Sequence, residues 1–308
     1  MISVVICTFN RAERLRHTLE GLRGMSVASG LEWELMVVDN NSTDNTRAVV
    51  EEFARTSGLV ARYLFEPKQG KSNALNRAIR AAKGDVVAFL DDDVIPAADW
   101  LTNVWREFSS DSELGVVSGR VELANPHDLP LMIVTNPNRK LAMSYLDVDG
   151  LIGCGCSSAF RRSVLTSVGD FDTLLGPGSK FRAMEDRDYT YRAWKAGNRM
   201  LYAPSLLLLH NHGRRTHIDE ARLLHGYNIG TGAYYAKHIL SGDTFAARLM
   251  YWTIASRVRR FLCGRNIGWA FRSTAWLIAG FVGYAAHRWW EQARHRYAAS
   301  AGSRPGHA

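Results

Sequence analysis

Cysteine is scarce in this chain of 308 residues. Cys7, Cys154, Cys156 and Cys263 are too few and too scattered for a disulfide framework. The single Cys-x-Cys has no companion ligands to complete a zinc site. A reducing, cytoplasmic setting is therefore expected. The opening MISVVICTFNR has an apolar run, but neither a basic leader nor a small-residue cleavage site, so no secretory signal is read there. Internal repeats and low-complexity tracts are missing too. What is present, 46% hydrophobic and 22% charged residues, suffices for one large core or two modest ones. The chain as a whole is therefore neither a disordered polypeptide nor a stapled mini-protein.

Acidic residues are nearly absent from one region. Residues 238–308 hold ten arginines against Asp243 and Glu291, whereas the first 237 residues balance 28 basic with 28 acidic side chains. The net charge of +8 thus belongs to the carboxyl-terminal region, which also has Trp252, Trp269, Trp276, Trp289 and Trp290. The distribution divides the chain into a neutral body (1–237), a basic aromatic helical region (238–296) and a disordered tail (297–308).

The β-branched run ISVVIC reads as a buried parallel strand. Leu15, Leu19 and Leu22 follow at helical spacing, and ELMVVD is a second strand ending on Asp39. The capping residues of NNSTDNT open a helix with Val49, Val50 and Phe53 on its apolar face. LVARYLF is a third strand, residues 73–83 form a helix stopped by Gly84, and DVVAFL is a strand running into Asp91, Asp92 and Asp93. This alternation predicts an α/β fold with a parallel sheet covered by helices. Ligands of such sheets sit beyond the carboxyl ends of the strands, where residues 8–11, 39–44 and 91–93 converge. After residue 115, LGVVSGRVEL, GCGCSSAF and MLYAPSLLLL read as strands of a mixed continuation. Residues 125–150, with three prolines, read as a long, partly mobile connection, and MEDRDYTYRAWKAG as a short helix stopped by Gly197.

Three consecutive carboxylates repel one another by roughly 4 kcal/mol per pair at ~4 Å and an effective dielectric near 20, so a cation is expected among them. On an extended backbone Asp91 and Asp93 point the same way and share one ion, with Asp92 opposite. Hard oxygen ligands favour Mg2+ or Mn2+ over zinc. The alternative is that the aspartates cap the turn before Pro96. Asp39 likewise either accepts a hydrogen bond from an imide or ribose hydroxyl or caps the NNSTDNT turn.

VVICTFNR, VVDNNSTDNT, GKSNALNRAI, VVAFLDDDVIP and MEDRDYTYRAWKAG, in this order and spacing, resemble family 2 glycosyltransferases of the GT-A fold, over residues 2 to about 215. The resemblance implies a mixed, mainly parallel sheet flanked by helices, a nucleotide-sugar donor, usually UDP-linked, a divalent cation and inversion at the anomeric carbon. It implies that Thr8, Asn10 and Arg11 line the nucleotide pocket, that Asp39 holds the base, and that Lys71 and Asn76 flank it. Asp91 would reach the ribose or the ion, Asp92 belongs to the same triplet, and Asp93 would bind the ion of this DXD motif. Cys7 stands where many relatives have proline. Asp186, after Glu185, is the implied general base, its neighbour orienting the acceptor; read alone, the pair is a solvated first helical turn. His210 resembles the family's late histidine, which implies that it would complete the metal site, with His212 its rival for that role. Arg214 and Arg215 would neutralise the departing diphosphate. Arg161 and Arg162 either touch the acceptor or are surface arginines.

Residues 266–286 contain one charge, Arg272, and are long enough in principle to span a bilayer. Arginines flank both sides, however, so an in-plane amphipathic helix on anionic lipid accounts better for the pattern; helices packed on the catalytic body are the alternative. The expected protein is a metal-dependent inverting hexosyl-type transferase, peripheral on the inner face of the cell membrane, acting on a lipid-linked or polysaccharide acceptor. No nucleic acid is expected as a partner. A catalytically inactive membrane-docked scaffold with the same pocket is the rival. A pyrophosphorylase would need a Gly- and Lys-rich triphosphate loop, which TFNRAERLR is not.

Overall fold

The computed structural model describes residues 1–152, 155–263 and 267–302, so Cys154, Arg265, Asn266 and residues 303–308 lie outside the described residues. The chain opens with β1 (Ile2–Thr8), α1 (Ala12–Arg23), β2 (Trp33–Asp39), α2 (Thr46–Thr56), β3 (Ala61–Phe65), α3 (Lys71–Ala81) and β4 (Val86–Asp91). These four strands are all parallel, in the order β3-β2-β1-β4. Register puts the functional ends level: Thr8 lies opposite Asp39, and Cys7 opposite Asp91. Val4, Ile6, Leu35, Val37, Ala88 and Leu90 are buried among Leu15, Leu19, Leu22, Val49, Val50 and Phe53 of the helices. Each of these valine, leucine, isoleucine and phenylalanine side chains contributes about 1.5–3 kcal/mol on leaving water.

Gly84 has a different role from the expected helix stop. Helix α3 already ends at Ala81, with Ala82 extended, and a Cβ at Gly84 would stand 2.5 Å from the Ser3 backbone nitrogen. Only glycine lets the chain pass this close to β1.

β5 (Val94–Pro96), α4 (Trp100–Ser110), β6 (Leu114–Leu123), β7 (Lys140–Leu141), α5 (Tyr145–Asp147), a π-helical turn at Val148–Ile152, β8 (Ser157–Arg161), α6 (Arg162–Val168), α7 (Glu185–Lys195) and β9 (Arg199–His210) follow. They extend the sheet as β4-β8-β6-β9-β5, with β8 antiparallel to both neighbours and β9 parallel to β6. The fold is thus mixed α/β with a central, mostly parallel sheet flanked by helices. The connection through 125–150 is built into this frame: Val121 and Val134 exchange backbone hydrogen bonds, and Tyr202 donates to the Asn136 carbonyl at 2.8 Å.

The chain ends with α8 (His217–Leu240), α9 (Thr244–Leu262) and α10 (Ile267–Gly302). Two compact units result: residues 1–179 with 185–220, and residues 180–184 with 221–308. Helix α8 runs through the expected boundary at 237, and α10 continues to residue 302, past the expected start of a disordered tail at 297. Within the helical unit, Phe181 packs against Tyr284 with ring centroids 5.5 Å apart. Among the described residues no helix is long and apolar enough to cross a membrane.

Candidate active site

The loop after β1 is locked to the loop after β2. Asn10, in the left-handed region at φ 50°, accepts the Thr43 N–H at 2.7 Å, and its own N–H donates to Ser42 Oγ at 2.9 Å. Asp39 is buried; it accepts the Ser42 N–H at 2.9 Å and the Tyr63 hydroxyl at 2.7 Å, so the turn-capping alternative is realised in its hydrogen bonds. Asp44, just before the Asn45 N-cap, accepts from Thr46 at the start of α2 and from the Ala12 N–H at the start of α1.

The acidic triplet is divided three ways, because strand β4 ends at Asp91 and the chain turns through Asp92 and Asp93. Strict alternation does not extend through the triplet. Asp92 accepts from Thr8 Oγ1 at 2.8 Å and Arg11 at 2.9 Å. Burial raises its pKa despite the charge of Arg11. Asp93 takes Arg11 at 3.2 Å, Arg14 at 3.5 Å and His210 Nε2 at 3.3 Å. Burial works against its charge, but the His210 hydrogen bond and the charges of His210, Arg11 and Arg214 hold Asp93 well below the usual carboxylate range. Arg14 was not anticipated, although its place one turn after Arg11 on α1 could have signalled it.

Asp91 faces the other way chemically, pairing with Lys71 Nζ at 2.7 Å; Lys71 also lies 3.5 Å from Glu185. Burial alone would lower the lysine pKa, yet Asp91, Glu185 and Asp186 together raise it, so it is a fixed cation. Lys71 is therefore at the carboxylates rather than beside a nucleobase. The rest of its motif is a clamp: the Lys71 N–H donates to the Pro177 carbonyl at 2.9 Å and Ser72 Oγ to the Leu175 carbonyl at 2.8 Å. Asn76 exchanges two hydrogen bonds with the Phe171 backbone. Its amide is committed at both ends to this loop, which corrects the expectation that it flanks a base.

Asp186 accepts backbone N–H groups from Gly155 at 2.8 Å and Arg187 at 2.7 Å. A Cβ at Gly155 would stand 2.5 Å from Asp186 Oδ2, and one at Gly176, where φ is +99°, would meet the Glu185 side chain at 3.1 Å. Burial, then the charge of Asp186, pushes Glu185 up to about 7 against the pull of Lys71; burial also raises Asp186. The solvated-turn reading of this pair does not hold. Asp91, Lys71, Glu185, Asp186 and Cys7 line one pocket of about 420 Å³, its open mouth included, with Leu75, Phe89, Phe160 and Phe171 as its apolar wall. Burial pushes the Cys7 thiol up to about 12, so it is a neutral wall group.

At the end of β9 the two histidine rings lie 4.9 Å apart, edge to face, but have different partners. His210 lies against Asp93, whereas His212 accepts the Arg214 N–H at Nδ1 (2.9 Å), leaving Nε2 to donate to the Leu129 carbonyl (3.1 Å). Arg215 is paired with Asp128 at 2.9 Å. Arg161 and Arg162 brace backbone carbonyls, the first at Leu114, Phe108 and Asp111 and the second at Gly84 and Ala82. Neither is a free surface arginine or an acceptor contact.

Among the described residues no three His, Cys, Asp or Glu side chains gather as a self-sufficient cation site. Asp93 Oδ1 and His210 Nε2 nonetheless fit as two ligands of one ion: their 3.3 Å separation is close to the roughly 3 Å between adjacent ligands at ~2.1 Å bond lengths. His210 Nδ1 is buried without a hydrogen-bond partner among the described residues.

The sequence profile described as glycosyl transferase family 2 matches residues 3–169, more than half of the chain. The protein belongs to glycosyl transferase family 2. Among curated family relatives, the glycosyltransferase AglE of Haloferax volcanii is 28% identical over 68% of this chain and 66% of its own. A poly-beta-1,6-N-acetyl-D-glucosamine synthase of Staphylococcus epidermidis is 27% identical over 56% of this chain and 42% of its own length. This family 2 chain therefore spans less than two thirds of either relative. Among solved structures, the mannosyltransferase PcManGT of Pyrobaculum calidifontis, in complex with GDP-Man and Mn2+, has a TM-score of 0.62 at 21% identity, over 92% of this chain and 86% of that one. TarS 1–349 of S. aureus with UDP-GlcNAc has a TM-score of 0.55 at 19% identity, over 75% and 66%. These neighbours share the GT-A fold with this glycosyltransferase.

Proposed function

We propose that this family 2 enzyme moves a hexosyl unit, with inversion, from a nucleotide-sugar to a hydroxyl of a polysaccharide or lipid-linked acceptor. The observation that carries the reading is the Lys71–Asp91–Glu185–Asp186 cluster at one pocket. Asp186 is the base: two backbone N–H groups favour its ionised form and fix its direction. It takes the acceptor proton as the acceptor oxygen bonds to the anomeric carbon and the sugar–phosphate bond breaks. Glu185, held near neutrality, orients the acceptor, and Lys71 sets the electrostatics of both.

Thr8, Asn10 and Arg11 with the Asp39 loop form the nucleotide side, and Asp91 reaches the ribose or donor sugar. Asp93 and His210 would hold Mn2+ or Mg2+, which when bound neutralises the leaving diphosphate. Arg214 adds positive charge beside Asp93. The GDP-Man, UDP-GlcNAc and Mn2+ of the structural neighbours and the polymer-forming relative support this class of donor and acceptor.

The helical unit docks on an anionic membrane surface. Trp252, Trp289 and Trp290 are more than 60% exposed, as are Leu262 and Phe271, on helices rich in arginine. Amphipathic rings with cations suit headgroup depth. Hydrolysis or transfer of UDP- and GDP-sugars, with Asp186→Asn as control, tests the enzyme: activity lost in the variant supports it. Nucleotide-sugar binding without turnover in the wild type would favour the scaffold.

A further inference from the structure

The long connection after β6 contains a buried acid that the reaction does not use. Asp128 is 4% exposed. One carboxylate oxygen accepts the Gly213 N–H at 2.8 Å and the other accepts Arg215 Nε at 2.9 Å. The same two strands of chain are clipped twice more: the Leu129 N–H donates to the Arg214 carbonyl at 2.8 Å, and His212 Nε2 to the Leu129 carbonyl at 3.1 Å. On the other flank, Arg14 donates to the His212 carbonyl at 2.6 Å while lying 3.5 Å from Asp93. Residues 212–215 are thus a strap fixed on one side by Asp128 and tied on the other to the Asp93 site.

The strap has two adjacent arginines with different fates. Arg215 is held by Asp128, whereas among the described residues the Arg214 guanidinium has no hydrogen bond or ion pair and its charge acts on Asp93. A buried carboxylate is costly unless fully hydrogen-bonded, and this one is satisfied only when the strap takes its present course.

We propose that Asp128 is a positioning residue for the donor diphosphate: it withdraws Arg215 and holds the strap so that Arg214 alone meets the phosphates. The inference rests on the donor reading above and deepens it, since that reading needs only a cation near Asp93, from either arginine.

A double-mutant cycle on the full chain tests it. The probes are UDP and GDP with Mn2+, titrated calorimetrically, with thermal melts confirming folding. Arg214→Ala and Asp128→Ala are each expected to weaken nucleoside diphosphate binding by about tenfold or more, the scale of a lost charge-assisted hydrogen bond. In the Arg214→Ala background, Asp128→Ala should have no further effect, because it acts through Arg214. Asp128→Asn should also weaken binding, by less than Asp128→Ala, because its amide oxygen still accepts from Gly213 while its NH2 group can no longer accept from Arg215 Nε. In turnover, the Asp128→Ala loss is expected in KM for the donor sugar rather than in kcat. Additive effects in the double variant, or undiminished binding by a folded Asp128→Ala protein, overturn the proposal while leaving the donor reading intact. Failure of the wild type to bind either nucleotide overturns both.

Discussion

Replacing Lys71 with methionine should move the acid limb of the activity profile to higher pH. Lys71 is a partly buried cation 2.7 Å from Asp91 and 3.5 Å from Glu185, and its charge also acts on Asp186. At 3.5 Å a unit charge contributes about 5 kcal/mol at an effective dielectric near 20, and about 1 kcal/mol if water fills the space. With about 1.4 kcal/mol per pKa unit, the carboxylates should rise by between about one and three and a half units. The sign follows from losing a cation that favoured their ionised forms. The base then stays protonated to higher pH, and below that pH turnover falls. Methionine keeps the volume and apolar stem, so the measurement separates charge from packing. The assay is donor hydrolysis or transfer from pH 4 to 10, on protein whose thermal melt shows it folded. An acid limb at the wild-type pH would refute the assignment of Lys71 as the charge that tunes these carboxylates.

Other outcomes follow from the same geometry. Gly155→Ala should lower turnover by about a hundredfold, because the new Cβ, 2.5 Å from Asp186 Oδ2, forces the base aside by about an ångström; a fold-neutral, fully active variant would sink the role of Asp186. Asp93→Asn should abolish the Mn2+-dependent part of UDP or GDP binding by calorimetry. Because Glu185 is raised to about 7 from an unfolded value near 4.5, it contributes stability that is complete below the unfolded value and lost as pH rises through the folded one. Wild type should lose stability from this source as pH rises from the acid range through neutrality, with Glu185→Gln flattening the change in urea unfolding. Replacing Trp252, Trp289 and Trp290 together with alanine should reduce sedimentation with phosphatidylglycerol vesicles without changing nucleotide binding. Removing α9 and α10 altogether is a poorer test, since Phe181 packs on Tyr284 of α10.

The first half of the sheet was legible because its signals are local. β-branched runs specify β1, β2 and β4, and each polar loop begins where such a run stops. The ends of β1, β2 and β4 are level, so Thr8, Asp39 and Asp91 could be brought to one edge without knowing any side-chain contact. Legibility failed where a residue's partner is distant in sequence. Asn76 and Phe171, or Gly84 and Ser3, announce nothing to each other. The three aspartates were misjudged through one assumption, that the strand stays extended through them. A turn at Asp92 and Asp93 instead hands Asp91 to Lys71 and the other two to Arg11.

The site's precision comes mainly from backbone rather than from side-chain packing. Lys71 is set by its N–H on Pro177, Asp186 by the N–H groups of Gly155 and Arg187, and Glu185 by the bare backbone of Gly176. Backbone donors add no rotamer freedom to the groups they hold, so the charged cluster is preorganised at little entropic cost. Side-chain partners, by contrast, dominate around Asp93, where Arg11, Arg14 and His210 are long or rotatable. The difference matches the two tasks of the proposed reaction: a base that would aim at one acceptor oxygen, and a diphosphate side that would close on a donor and release the nucleotide after each transfer.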